Sequence, residues 1–316
     1  MNTDSIKRLC GKKMLLQVED NGLSPHDWVD KNEDDVETFL STNGILLIRG
    51  LNINSEDFGD VLAGLFGEKL LTYTYRSTPR TALKNNIYTA TEYHPSQVIP
   101  QHNENAYSNV WPIRIGFLSV TTAQKMGNTP ISDSRVAYQE IPEDIRNEFE
   151  QKKIMYVRNY SNVDLPWNEV FQTEDKSVVE KYCRENNIQY EWTGNGLRTK
   201  QTNQATAIHP VTREKLWFNQ AHLFHVSSLE EELREGLVAL LGEENLPRNT
   251  YFGDGTPIDA EYLSVIREVY EKTKFSFQWQ KNDLLLLDNM LYTHGREPFE
   301  GPRKVLVGMA RTYSPN

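Results

Sequence analysis

Helical and extended patterns alternate along the first third of the chain. Glu33 to Leu40 reads as a short helix stopped by Asn43-Gly44, because a glycine beyond the last turn adopts the left-handed conformation without strain. Ile45-Leu-Leu-Ile48 follows as an unbroken apolar run, the pattern of a buried strand. Ser55 is placed to cap a helix whose Phe58, Val61, Leu62 and Leu65 share one face. From residue 98 onward the texture changes to short strands with long connections. Strands are expected at Ile113–Val120, Ile154–Arg158, Leu216–Asn219, Phe275–Gln280, Leu284–Asp288 and Val305–Ala310. Two surface helices interrupt the series, one from a Ser228-x-x-Glu231 capping box to Gly242, the other from about Asp259 to Lys272. Strands sprinkled with helices, without a regular βαβ beat, predict a mainly β fold with flanking helices, a sandwich or jelly roll. No Gly-x-Gly-x-x-Gly follows a strand, which removes the dinucleotide-binding alternative.

Composition narrows the function classes. Lys and Arg number 34 against 44 Asp and Glu, a net charge of −10, too acidic for a general nucleic-acid binder. No apolar run approaches the roughly 20 residues of a membrane span, and the first residues lack a signal-peptide core, so a cytoplasmic protein is expected. Cys10 and Cys183 stand far apart, which excludes a disulfide framework and a cysteine zinc site. No repeat or Gly/Ser linker divides the 316 residues, so a single domain over 1–316 is expected, with a lid or specificity insertion around 160–215.

Two of the seven histidines stand out. His102-Asn103-Glu104 sets an imidazole and a carboxylate two residues apart, which on an extended segment point to one face. His294 follows the Leu284–Asp288 strand. Two histidines and a carboxylate on a β scaffold are the donor set of the facial triad that holds non-haem Fe(II) with three positions open. By spacing alone the same residues also suit surface polarity and hydrogen-bonded loops. Arg303, nine residues after His294, can form a bidentate pair with a dicarboxylate.

These residues resemble the Fe(II)/2-oxoglutarate-dependent taurine dioxygenase (TauD/TfdA) family, and more closely its clavaminate synthase-like members: clavaminate synthase, asparagine oxygenase and the syringomycin-type hydroxylases. The likeness runs in family order through Gln101–Tyr107, Trp111-Pro112, Met126–Arg135, Tyr156–Tyr160, Leu216–His225, Leu284–Met290 and His294–Arg303. The resemblance implies a double-stranded β-helix of the clavaminate synthase-like type. It implies Fe(II) held by His102, Glu104 and His294, with O2 as co-substrate. Thr129 and Arg303 would hold the far carboxylate of 2-oxoglutarate, and Arg311 is a second candidate for its chelating end. Glu104 stands where the wider family usually has Asp, which narrows the subgroup, and as a carboxylate it fills the position that halogenating relatives give to a small residue to admit chloride, which disfavours halogenation. Gly127-Asn128 replaces the two glycines and acid expected before Thr129.

The implied activity is hydroxylation of an unactivated C–H bond in an amino acid or a carrier-tethered aminoacyl group, coupled to decarboxylation of 2-oxoglutarate to succinate. The setting is peptide natural-product (antibiotic) biosynthesis. Desaturation or cyclisation shares that chemistry, and a zinc-dependent β-sandwich hydrolase is the alternative from another class. Tyr160 to Gln204, with Trp167, Phe171, Trp192 and the Gly194-Asn-Gly196 turn, is the candidate lid. Arg198, Asn219, Gln220 and His222 are candidate substrate contacts, His225 a loop brace and His209 a turn residue. Arg76 and Arg80 suggest a basic entrance for an acidic carrier protein, against a plain reading as solvated side chains. The expected partner is thus a small amino acid or an aminoacyl carrier protein, with self-association left open.

Overall fold

The computed structural model describes residues 3–19, 22–73, 75, 77–161, 163–194 and 196–315. Arg76 and Asn195 lie outside them. A seven-stranded sheet runs in the order Lys7–Leu9, Lys12–Gln17, Ile45–Arg49, Leu284–Asp288, Trp111–Thr121, Lys304–Tyr313 and Tyr88–Thr89. All of its pairings are antiparallel except Lys12–Gln17 with Ile45–Arg49. A second sheet places Tyr292–Arg296 between Ile99–His102 and Ile131–Asp133. The two sheets share a core of Ile115, Phe117, Leu285, Leu287, Val305 and Val307 with Ile131, Tyr292 and Trp279, giving the expected jelly roll.

The other face of the large sheet explains the unbroken apolar runs. Leu46, Ile48, Leu118, Leu284, Leu286 and Leu306 pack under the helices Pro25–Asn43 and Phe58–Phe66. A strand buried on both faces has no polar positions to alternate with. Two glycines let the second helix lie close: a β-carbon at Gly116 would stand 2.4 Å from Leu62 Cδ1, and one at Gly308 2.6 Å from Leu62 Cδ2.

A third core forms around an antiparallel sheet ordered Gln189–Thr193, Gly196–Asn203, Ile154–Tyr160 and Arg248–Phe252. Most of the 160–215 insertion is therefore folded framework. Val170, Val179, Cys183 and Leu197 from this segment are buried in the third core. Among the described residues no helix is long and apolar enough to cross a membrane.

Local signals were displaced in several places. The first helix spans Pro25–Asn43, because Ser24 and Asp27 close a capping box ahead of Pro25, and it ends as expected at left-handed Gly44. Ser55 caps nothing at Phe58–Phe66; Asn54 Oδ1 instead accepts from the Glu56 and Asp57 amides. The Ser228 box does not form either, and that helix starts at Glu231 while the Ser228 hydroxyl donates to Leu223 O. Phe277 and Trp279 do face the core, yet Phe275–Gln280 forms no ladder beyond one bridge from Phe275 to Ile131. Of the expected 216–219 strand only Leu216 and Trp217 join a ladder, within the paired Lys215–Trp217. Asp259 caps Ala260–Thr273 as expected.

Candidate active site

His102 ends its strand and pairs directly across the ladder with His294, their rings 4.5 Å apart. Gly295 makes this approach tolerable, since a β-carbon there would meet Ile99 O at 2.6 Å. Glu104 does not share an extended segment with His102, as its spacing suggested. It lies in the turn after the strand, held by Asn289, which follows the buried Leu284–Asp288 strand. Asn289 Oδ1 accepts from the Glu104 amide at 2.6 Å, and its Nδ2 donates to Glu104 O and Pro112 O. Asn103 Nδ2 in turn donates to Asn289 O.

One donor atom from each of His102, Glu104 and His294 falls within 4.8 Å of the others, close enough to meet one ion. The carbonyl of Pro100 sits 2.9 Å from His102 Nδ1, which orients that ring and leaves Nε2 for a metal. His294 Nε2 lies 3.7 Å from Glu104 Oε2. Burial, reinforced by His294, pushes His102 down to about 3, so the imidazole is neutral and able to ligate. Burial opposes charge on Glu104, but Arg80 and the two histidines outweigh it and hold the carboxyl well below its usual range. A donor set of two imidazole nitrogens and one carboxylate oxygen suits ferrous iron.

His102 and His294 line a cleft whose walls include Ile99, Phe117 and Val305, with Thr129 and Arg303 also on its lining. Thr129 Oγ1 accepts from the Trp279 indole at 3.1 Å, which leaves its own hydrogen to donate into the cleft. Arg303 Nε donates to Gly127 O at 2.9 Å, and among the described residues no carboxylate forms a salt bridge with the guanidinium. Burial and the nearby Arg296 lower Arg303 to about 10, with Glu297 opposing them. Arg296 also lines the cleft, but its terminal nitrogens donate to the carbonyls of Thr91, Tyr93, His94 and Gln97. The Gly127-Asn128 departure is accommodated: Gly127 has φ 77°, and the Asn128 amide donates to Glu297.

Several expected site residues lie elsewhere. Arg311 donates to Glu37 and Phe66 O on the helix-covered side of the sheet, so it is no ligand for the chelating end of 2-oxoglutarate. Arg198 is consumed by Asn159, Glu244 O and Asn245 on the third sheet. Asn219 is a turn residue, its Nδ2 on Ala205 O and its Oδ1 on the Ala221 amide. Gln220 and His222 contact the ligand strand from behind, through Asn103 O at 2.6 Å and Gln101 O at 3.0 Å. Both side chains are buried on that segment, beside the candidate metal-binding residues. His225 Nδ1 accepts from the Ser227 amide, the bracing role expected of it. His209 does hold a turn, accepting from Thr212, but it is also fully buried against Asp288 at 3.1 Å. Arg80, read as a solvated entrance residue, is buried and donates to Glu104.

The sequence reading gave Tyr73, Trp279 and Asn289 no role in the site. Only Asn289 carried a signal, a polar pair with Asp288 directly after four leucines.

A family model described as "Taurine catabolism dioxygenase TauD, TfdA family" matches residues 6–310. The chain belongs to the TauD/TfdA family. As a TauD/TfdA protein it is an Fe(II)/2-oxoglutarate-dependent dioxygenase. It is similar to the dapdiamide synthesis protein DdaC of Enterobacter agglomerans, 42% identical over 283 residues that cover 89% of this chain and 86% of that protein. It is also 31% identical over 294 residues to a clavaminate synthase-like protein of Arabidopsis thaliana, across 87% of this chain and 84% of that one. The fold is shared with a crystal structure of asparagine oxygenase in complex with Fe(II), 2S,3S-3-hydroxyasparagine and succinate. That likeness has a TM-score of 0.54 and 13% identity, across 90% of this chain and 81% of that one.

Proposed function

We propose that this TauD/TfdA dioxygenase hydroxylates an aliphatic carbon of an amino acid or of an aminoacyl group tethered to a carrier protein, in peptide natural-product biosynthesis. His102, Glu104 and His294 hold the iron, and Thr129 and Arg303 hold the far carboxylate of 2-oxoglutarate. The observation that carries this reading is the pairing of a three-donor cluster within 4.8 Å with a half-buried guanidinium that lines the adjoining cleft and forms no salt bridge among the described residues. A dicarboxylate that chelates the metal at one end and meets Arg303 at the other satisfies both.

The bound iron and 2-oxoglutarate supply O2 activation, with loss of CO2, formation of succinate and attack on the C–H bond. The chain's residues orient and shield. Arg303 and the Thr129 hydroxyl fix one end of the co-substrate, while Ile99, Phe117 and Val305 keep water from the reacting face. No side chain needs to act as acid or base in C–H cleavage. Support for the substrate class comes from the relatives: DdaC is named for dapdiamide synthesis, and asparagine oxygenase was solved with a hydroxylated asparagine. A panel of free amino acids and aminoacyl carrier proteins, read by succinate release and product mass, tests the proposal. Gain of one oxygen is the expected result. Loss of two hydrogens would replace hydroxylation with desaturation or cyclisation.

A further inference from the structure

Glu104 is the longest and least restrained of the three donors. Compared with Asp it has one more rotatable bond, and it sits in a turn outside any ladder. Both of its oxygens are nevertheless fixed. Tyr73 donates its hydroxyl to Oε1 at 2.9 Å, and Arg80 Nη2 donates to Oε2 at 2.7 Å. The two donors support each other, since the guanidinium carbon lies 4.7 Å from the centroid of the Tyr73 ring. Tyr73 is itself anchored at both backbone polar groups, its amide donating to Tyr88 Oη at 2.8 Å and its carbonyl accepting from Gln172 Nε2 at 2.5 Å.

Burying a guanidinium is costly unless it is paired and hydrogen-bonded. Arg80 is only 7% exposed, so its placement needs a local reason. Oε2, the oxygen it grips, is the one 3.7 Å from His294 Nε2 and therefore faces the ion position, whereas Tyr73 turns Oε1 away. We propose that Arg80 and Tyr73 form a clamp that presets the Glu104 carboxylate, with Oε2 toward the metal, and thereby set the affinity of the centre for Fe(II). Both are positioning residues that act on the iron through Glu104. The inference rests on the His102, Glu104 and His294 reading.

Hydrogen-bond partners of metal ligands typically govern affinity by about 10–100-fold. The test is an anaerobic Fe(II) titration at saturating 2-oxoglutarate, read by the visible charge-transfer absorption of the chelate. The variants are Arg80→Gln, Arg80→Lys, Tyr73→Phe and, as a control on the triad, His102→Ala, with the melting temperature of each metal-free protein measured in parallel. Arg80→Gln should weaken Fe(II) binding about 10–100-fold, Tyr73→Phe less, and Arg80→Lys should recover part of the loss because it keeps one charged donor. Wild-type affinity in Arg80→Gln and Tyr73→Phe, while His102→Ala binds no iron, overturns the clamp and leaves the triad standing. Wild-type affinity in His102→Ala overturns the triad and the clamp with it. If Arg80→Gln does not fold, Tyr73→Phe decides: a weaker site upholds the clamp and an unchanged one refutes it.

Discussion

Asn289→Ala is the perturbation that separates scaffold from chemistry most sharply. The side chain is fully buried and forms three hydrogen bonds, one accepted from the Glu104 amide and two donated to Glu104 O and Pro112 O. At a net value of about 1 kcal/mol each they contribute about 3 kcal/mol, and the stranded Glu104 N–H adds about 1–2 more. A loss of about 3–5 kcal/mol, at about 2 °C per kcal/mol for a chain of this size, lowers the melting temperature by roughly 6–10 °C. Glu104 also loses the contact that ties its turn to the loop leading into His294. Fe(II) affinity should therefore fall by about tenfold or more even well below the new melting temperature. Asn289→Asp is the sharper companion. It keeps the acceptor for Glu104 N but turns an oxygen toward two carbonyls, so it should be no better than alanine. Thermal melting by circular dichroism and anaerobic iron titration provide the two readouts. An Asn289→Ala protein that melts within a degree of wild type refutes the hydrogen-bond accounting. One that is destabilised but binds iron normally refutes the positioning argument.

Three further outcomes follow from the site. Arg303→Ala removes the proposed partner of the 2-oxoglutarate carboxylate, a loss of about 2–4 kcal/mol, and should raise the KM for 2-oxoglutarate about 30- to 1000-fold with iron retention intact; an unchanged KM would remove Arg303 from the site. Thr129→Val deletes one donor to the same carboxylate and should cost about tenfold in 2-oxoglutarate affinity, measured by titration calorimetry. His222 is held neutral by burial, at about 4 against its ordinary 6.5, so the unfolded chain takes up a proton near pH 6.5 that the folded chain refuses. Acid therefore favours unfolding, and between pH 7 and pH 5 this one group costs about 2 kcal/mol. His222→Gln should be less stable at pH 7 but lose less on going to pH 5, and parallel urea-unfolding curves for the two proteins would contradict this.

Much of the architecture was legible because it is repeated locally. The Gly44 stop, the Ile45–Arg49 strand and the Leu284–Asp288 strand each announce themselves within a few residues. The helix at Pro25–Asn43 was read short because its start depends on a capping box with Asp27 in place of the usual Glu. The site divides in the same way. His102, Glu104, His294, Thr129 and Arg303 belong to recurring phrases, and the fold brings them to one cleft. Arg198 and Arg311 failed because a lone arginine in sequence does not reveal its acceptor; theirs proved to be Asn159 and Glu37, 39 and 274 residues away. Arg80 was misread for the same reason, its acceptor lying 24 residues on in a turn. The contacts of Gln220 and His222 with Asn103 O and Gln101 O were not legible, since alternation along a strand says nothing of a segment that turns into a short helix at Ala221.

The most direct measurement is an anaerobic crystal structure with Mn(II) and N-oxalylglycine, an inert pair standing for Fe(II) and 2-oxoglutarate. The account predicts one ion bound by His102, Glu104 and His294, chelated by the oxalyl end, with the far carboxylate on Arg303 and Thr129. An ion held by other side chains, or an analogue whose far carboxylate lies away from Arg303, would contradict it.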